Sequence, residues 1–114
     1  MSRSVRLYLE DIKQSIVKIQ KYTSNASLVS FLKDEKSVDA VVRNLSVIGE
    51  AAGKIPAEFK SDNQEIAWKE IAGMRNKIIH DYFGVDLEIL WKTINEDLPV
   101  LKKQIKKLLK EERR

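Results

Sequence analysis

The chain has 114 residues, 43% of them hydrophobic and 33% charged, with a formal net charge of +4. That length and balance fit one folded domain, residues 1–114, with a single core, and exclude both a two-core protein and a disordered chain. With no cysteine there is neither a disulfide framework nor a thiolate metal site; no apolar run approaches the roughly 20 residues of a membrane span, and Met1-Ser2-Arg3-Ser4 does not lead into a signal peptide, so a cytoplasmic protein with no membrane role is expected.

The predicted elements are helical almost throughout. Val5, Leu9, Ile12, Ile16 and Ile19 recur in steps of four and three, the stripe of a long amphipathic first helix. Thr23-Ser24-Asn25 breaks it, and Ser27 or Asn25 caps a short second helix through Leu28, Phe31 and Leu32. Ser37 reads as the cap of a third helix that buries Val38, Val41, Val42, Leu45, Ile48 and Ala52, with Arg43, Asn44 and Glu50 on its exposed side. Pro56 ends it or starts a brief turn containing Phe59, and Lys60-Ser61-Asp62-Asn63-Gln64, the most polar stretch, reads as a mobile loop.

Trp68 to Asp86 holds the residues with chemistry. Ala67, Ile71 and Met74 have helical spacing, Gly84 offers a stop and Asp86 a cap for the next helix. This places Arg75-Asn76-Lys77-Ile78-Ile79-His80-Asp81-Tyr82 in the last two turns of one helix. At about 100° per residue, Asn76 and His80 would then share a face one turn apart, with Arg75 about 140° round from His80. Leu87, Leu90, Trp91 and Ile94 form another helix; Asn95-Glu96-Asp97-Leu98-Pro99 is a break or kink, with Asp97 or Leu98 as cap and Pro99 near the start of a last helix carrying Leu101, Ile105, Leu108 and Leu109. No strand-like alternation of useful length is present. The fold class is all-α, a bundle of four to five main helices.

Charge is concentrated at the end. Residues 102–114 carry Lys102, Lys103, Lys106, Lys107, Lys110, Arg113 and Arg114 against Glu111 and Glu112, a net of +5, which leaves the rest of the chain near −1. Such a helix is a solvated face or an anchor for nucleic acid or a membrane surface.

His80, the only histidine, titrates near neutrality when unperturbed, with a pKa of about 6.5. Beside it stand a permanent cation with a phosphate-matching fork (Arg75), an amide (Asn76) and a phenol (Tyr82). A general acid/base and a cation are the parts needed to cut RNA without a metal, because the ribose 2′-hydroxyl supplies the nucleophile. One histidine does not easily act as base and acid in one pass; a symmetric dimer would supply two. The bland alternative is a histidine that only balances the dipole at a helix end.

Arg75-Asn76-x-x-x-His80-x-Tyr82 resembles the R-x4-H-x-Y motif of the HepT-like toxins, a branch of the HEPN helical-domain superfamily also known as DUF86. Leu45 to Ala52, Trp68 to Asn76, His80 to Asp86 and Trp91 to Leu101 are similar to that family too, so the resemblance spans essentially the whole chain. It implies a HEPN-type bundle and a metal-independent endoribonuclease acting on RNA, tRNA or mRNA, with no cofactor. The active site would be shared by a homodimer, with His80 as general acid/base, Arg75 on the scissile phosphate and Asn76 assisting. It further implies the toxin of a type VII toxin–antitoxin pair, whose partner, a minimal MntA-like nucleotidyltransferase antitoxin, transfers AMP to Tyr82. The rival class is a non-catalytic helical module that docks a nucleotidyltransferase and presents its substrate.

Overall fold

The computed structural model describes residues 1–80 and 84–112, with His80 and Glu112 described by their backbone alone. Ser2 opens α1 (Arg3–Thr23), its side-chain oxygen accepting from the Val5 backbone N–H at 3.1 Å. Val5, Leu9, Ile12, Ile16 and Ile19 are all buried, as their spacing predicts. Burying one such aliphatic side chain stabilises by roughly 1.5–3 kcal/mol, so this stripe is a main contributor to the core. α1 packs chiefly on α3 (Glu35–Lys54) and also on α8 (Leu98–Glu112).

α2 (Leu28–Leu32) is one capped turn: Ser27 and Ser30 exchange side-chain-to-backbone hydrogen bonds as a capping box. It buries Phe31, whose ring lies 5.2 Å from that of Trp91 on α7 (Leu87–Lys92). α3 starts three residues earlier than a Ser37 cap implies. Asp34 is the cap, accepting from the Ser37 backbone N–H and hydroxyl, so Ser37 braces the cap rather than forming it. Val38, Val41, Leu45, Ile48 and Ala52 are buried; Val42 is half-buried, and Asn44, expected outside, is buried with its amide donating to the Ala40 carbonyl at 2.8 Å.

The polar stretch 60–64 is not a plain loop. Pro56 starts α4 (Ala57–Asp62), whose end is tied by the Asn63 amide to the Phe59 carbonyl at 2.9 Å. The break or kink expected at Asn95 to Pro99 is a widened helical turn and not a chain break. α7 runs through a π-helical segment (Thr93–Asp97) straight into α8, and the Leu98 N–H bonds the Thr93 carbonyl five residues back. Pro99 lacks an N–H and its ring crowds the carbonyl four residues earlier, so the α register is interrupted just before it without a new cap. Leu90, Ile94, Leu98, Leu101, Ile105, Leu108 and Leu109 of this rod are buried.

The architecture is therefore all-α: α1, α3, the α7–α8 rod, and a fourth limb made of α5 (Trp68–Ala72) and α6 (Met74–Ile78). To these are added the short α2 and α4 and a two-residue antiparallel pair, β1 (Ile79–His80) with β2 (Gly84–Val85). No helix among the described residues is long and apolar enough to cross a membrane.

Candidate functional site

The limb that carries the candidate residues is held at its base by Trp68. Its indole N–H donates to the Asn63 carbonyl at 3.0 Å, its ring meets Phe59 edge-on at 6.3 Å, and it is buried. The apolar stripe of this limb is Trp68, Ile71, Met74 and Ile78; Ala67, expected to begin it, is exposed at the cap position. α3 comes close at one point. Gly49 is buried against the end of α5, where a Cβ would lie 3.2 Å from the Ala72 carbonyl oxygen.

The expected single helix does not extend to the histidine. It is interrupted at Gly73, and α6 ends at Ile78. Ile79 turns extended (φ −102°, ψ 121°) while its N–H still closes on the Arg75 carbonyl. The Ile78 carbonyl, which a continuing helix would use internally, accepts the Asp86 N–H at 2.8 Å. Ile79 then pairs with Val85 and His80 with Gly84. Two consecutive β-branched residues favour this extended exit. Gly84, read as a helix stop, has φ +81° inside β2, a conformation that suits glycine. Asp86 caps α7 as expected, accepting from the Ile89 N–H at 3.1 Å.

Asn76 and His80 are thus not neighbours on one helix face. Arg75 and Asn76 sit on α6, and the backbone of His80 sits on β1 directly after it. Tyr82 lies outside the described residues. Arg75, Asn76 and Lys77 are exposed, and none makes an ion pair or side-chain hydrogen bond among the described residues. Among the described residues no carboxylate is paired with Arg75. Glu50 and Arg43 are exposed and form no ion pair among the described residues.

A groove of ≈ 760 Å³ runs along the other side of α6. Met74, Lys77 and Ile78 line it, facing Glu96, Asp97 and Gln104; Arg75 and Asn76 do not. The helical twist separates these two sides, because Arg75 and Asn76 are about 100° and 200° round from Met74. Among the described residues no group of three or more His, Cys, Asp and Glu could hold a metal ion.

Two features of the site were passed over in the sequence. Gly49 carried a signal, a glycine in the middle of an apolar helical stripe, which marks close backbone approach. The β1–β2 pair had only the faint signal of Ile79 and Val85 flanking a glycine.

The HepT-like family model, described as ribonuclease HepT-like, matches residues 12–108. A protein of Thermococcus cleftensis named probable ribonuclease HepT is 49% identical over 110 residues, covering 96% of this chain and 100% of that one. A candidate RNase of Caldanaerobacter subterraneus is 42% identical over 111 residues, 97% of this chain and 99% of its own. In Methanocaldococcus jannaschii, a protein named as a gamma-glutamylcyclotransferase and candidate RNase is 40% identical over 111 residues, 97% of this chain and 50% of that protein. No solved structure matches. On the family match and these relatives together, the chain belongs to the HepT-like family.

Proposed function

We propose that this protein is an endoribonuclease that cuts RNA through Arg75, Asn76 and His80 without a metal ion. The observation that carries the reading is an exposed Arg75-Asn76 pair, without a side-chain partner among the described residues and one short step from His80, within a segment matched by a ribonuclease family model. Arg75 binds the scissile phosphate through its fork and stabilises the charge that builds there. One imidazole takes the proton from the ribose 2′-hydroxyl as its oxygen attacks phosphorus. A second imidazole, protonated, gives its proton to the leaving 5′-oxygen as the P–O5′ bond breaks. The products are a 2′,3′-cyclic phosphate and a 5′-hydroxyl. Each chain has a single histidine, so the two imidazoles come from a homodimer.

The protein is, on this proposal, the toxin of a toxin–antitoxin pair. A nucleotidyltransferase antitoxin transfers AMP to Tyr82, two residues from His80, and places bulk and negative charge where RNA phosphate binds.

The test is purified protein on RNA in EDTA, followed by end-group analysis. Cleavage with cyclic phosphate ends, lost in Arg75→Ala and His80→Ala, is the expected result. Cutting that survives His80→Ala overturns the assignment of the acid/base, and no cutting by a folded dimer favours a docking module. Tyr82→Phe retains cleavage but takes no AMP when co-expressed with a neighbouring nucleotidyltransferase, read by intact mass.

A further inference from the structure

Helix α8 is held from both sides by long-range hydrogen bonds. Lys102 donates to the Gln20 side chain of α1 at 2.8 Å, and the Gln104 amide donates to the Glu65 carbonyl at 3.0 Å. Lys102 and Gln104 are each about 100° from Lys103 round the helix. Between these tethers Lys103, Lys106, Lys107 and Lys110, all exposed, fill a sector of about 100° that is about 10 Å long. None of the four has an ion pair among the described residues; Glu111 stands one turn from Lys107 without meeting it. The i,i+4 pairs along this part of the helix are Lys102–Lys106, Lys103–Lys107 and Lys106–Lys110, each a like-charge pair that mildly destabilises the helix. Alternating Glu and Lys would give the same solubility without that repulsion. An arrangement of this kind is relieved when a polyanion lies along it.

We infer that the α8 lysine stripe is a docking surface for the RNA phosphate backbone, separate from the chemistry at α6 and β1. The inference rests on the ribonuclease reading only for the class of its ligand. A nucleic-acid strand carries one phosphate per nucleotide, so a few nucleotides laid along the stripe set successive phosphates against its four cations. A membrane surface fits less well. Leu98, Leu101, Ile105, Leu108 and Leu109, the apolar face that a membrane helix would insert, are buried in the core. Val100 lies both in the α6 groove and in the shallow pocket containing Lys102, Lys103 and Lys106, so the stripe begins beside the Met74 and Lys77 side of the limb, round the helix from Arg75. RNA held there is oriented toward that limb, which lowers KM and leaves the bond-breaking step untouched.

The experiment is fluorescence anisotropy with a 2′-O-methyl oligoribonucleotide, which lacks the attacking hydroxyl, titrated at several salt concentrations. The quadruple variant Lys103→Gln, Lys106→Gln, Lys107→Gln, Lys110→Gln is expected to bind more weakly, its log–log salt slope shallower by about 2–3. The matching quadruple arginine variant keeps the wild-type slope, and unchanged circular dichroism verifies the fold. On cleavable RNA the glutamine variant raises KM and leaves kcat unchanged. Wild-type affinity and slope in the glutamine variant overturn the proposal. So does lysine-dependent binding to phosphatidylserine vesicles with the oligonucleotide unaffected. If the oligonucleotide binds through the lysines while no RNA is ever cut, the docking surface stands and the nuclease reading falls. If the glutamine variant cuts RNA with unchanged KM, the nuclease reading stands and the docking surface falls.

Discussion

Two glycines one turn apart on α3 differ in a way that stability measurements can resolve. At Gly53 nothing lies within 4 Å of a built Cβ, whereas at Gly49 the Ala72 carbonyl oxygen is 3.2 Å away and that of Ile71 3.6 Å. Replacing a helical glycine by alanine gains roughly 0.5–1 kcal/mol by restricting the unfolded chain. Gly53→Ala is expected to show that gain. At Gly49 the same gain is opposed by displacement of a backbone carbonyl by a few tenths of an ångström, so Gly49→Ala is expected to be neutral or to lose about 1 kcal/mol. Gly49→Val adds two further carbons to the same contact and should lose about 1–3 kcal/mol, the range for overpacked cores. For a domain near this size each kcal/mol moves Tm by roughly 4–8 °C. Thermal unfolding by circular dichroism, with urea titration as the second measure, reads all three. A Gly49→Ala protein whose Tm rises as far as that of Gly53→Ala would refute the contact. Since Ala72 leads through Gly73 into α6, Gly49→Val should also reduce RNA cleavage by more than its unfolded fraction explains.

Ile78 is fully buried at the end of α6; Ile78→Val should cost about 1 kcal/mol and Ile78→Ala about 2–5, measured by urea denaturation. Asp86→Ala removes the cap of α7 and should cost about 1 kcal/mol, seen as a lower Tm. The Ser37 hydroxyl, and after it the Ser37 backbone N–H, hold the exposed Asp34 carboxyl below its ordinary 3.8. A depressed carboxylate contributes stability that is complete above its unfolded pKa and is lost as pH falls through the folded value. The Tm difference between wild type and Asp34→Ala should therefore be constant above about pH 5 and shrink below 3.8. A gap that persists to the lowest pH would disprove the cap's role.

The site was legible in its residue types and only partly in its geometry. Arg75, Asn76 and His80 stand on adjoining elements and not on one helix: periodicity carried the helix through Tyr82, and α6 ends at Ile78. Helical spacing is satisfied by Ile78 and Ile79 in either state. The choice was made by the Asp86 N–H, eight residues on, taking the Ile78 carbonyl. Likewise Lys77 sits on the groove side of α6 and Arg75 on the other, a division visible only once the neighbouring α8 is in place.

What the chain determined by itself is the set of helices and their inner faces. Each 3.6-residue stripe is a local property, and Val5 to Ile19, Val38 to Ala52 and Leu101 to Leu109 are buried where the pattern put them. Only the tertiary structure decided where helices stop without a local signal, that Asn44 turns inward, that Pro99 is met by a widened turn and that α3 touches α5 at Gly49. These depend on which backbone groups find partners far along the chain and on how closely two helices can approach. Local periodicity does not encode either.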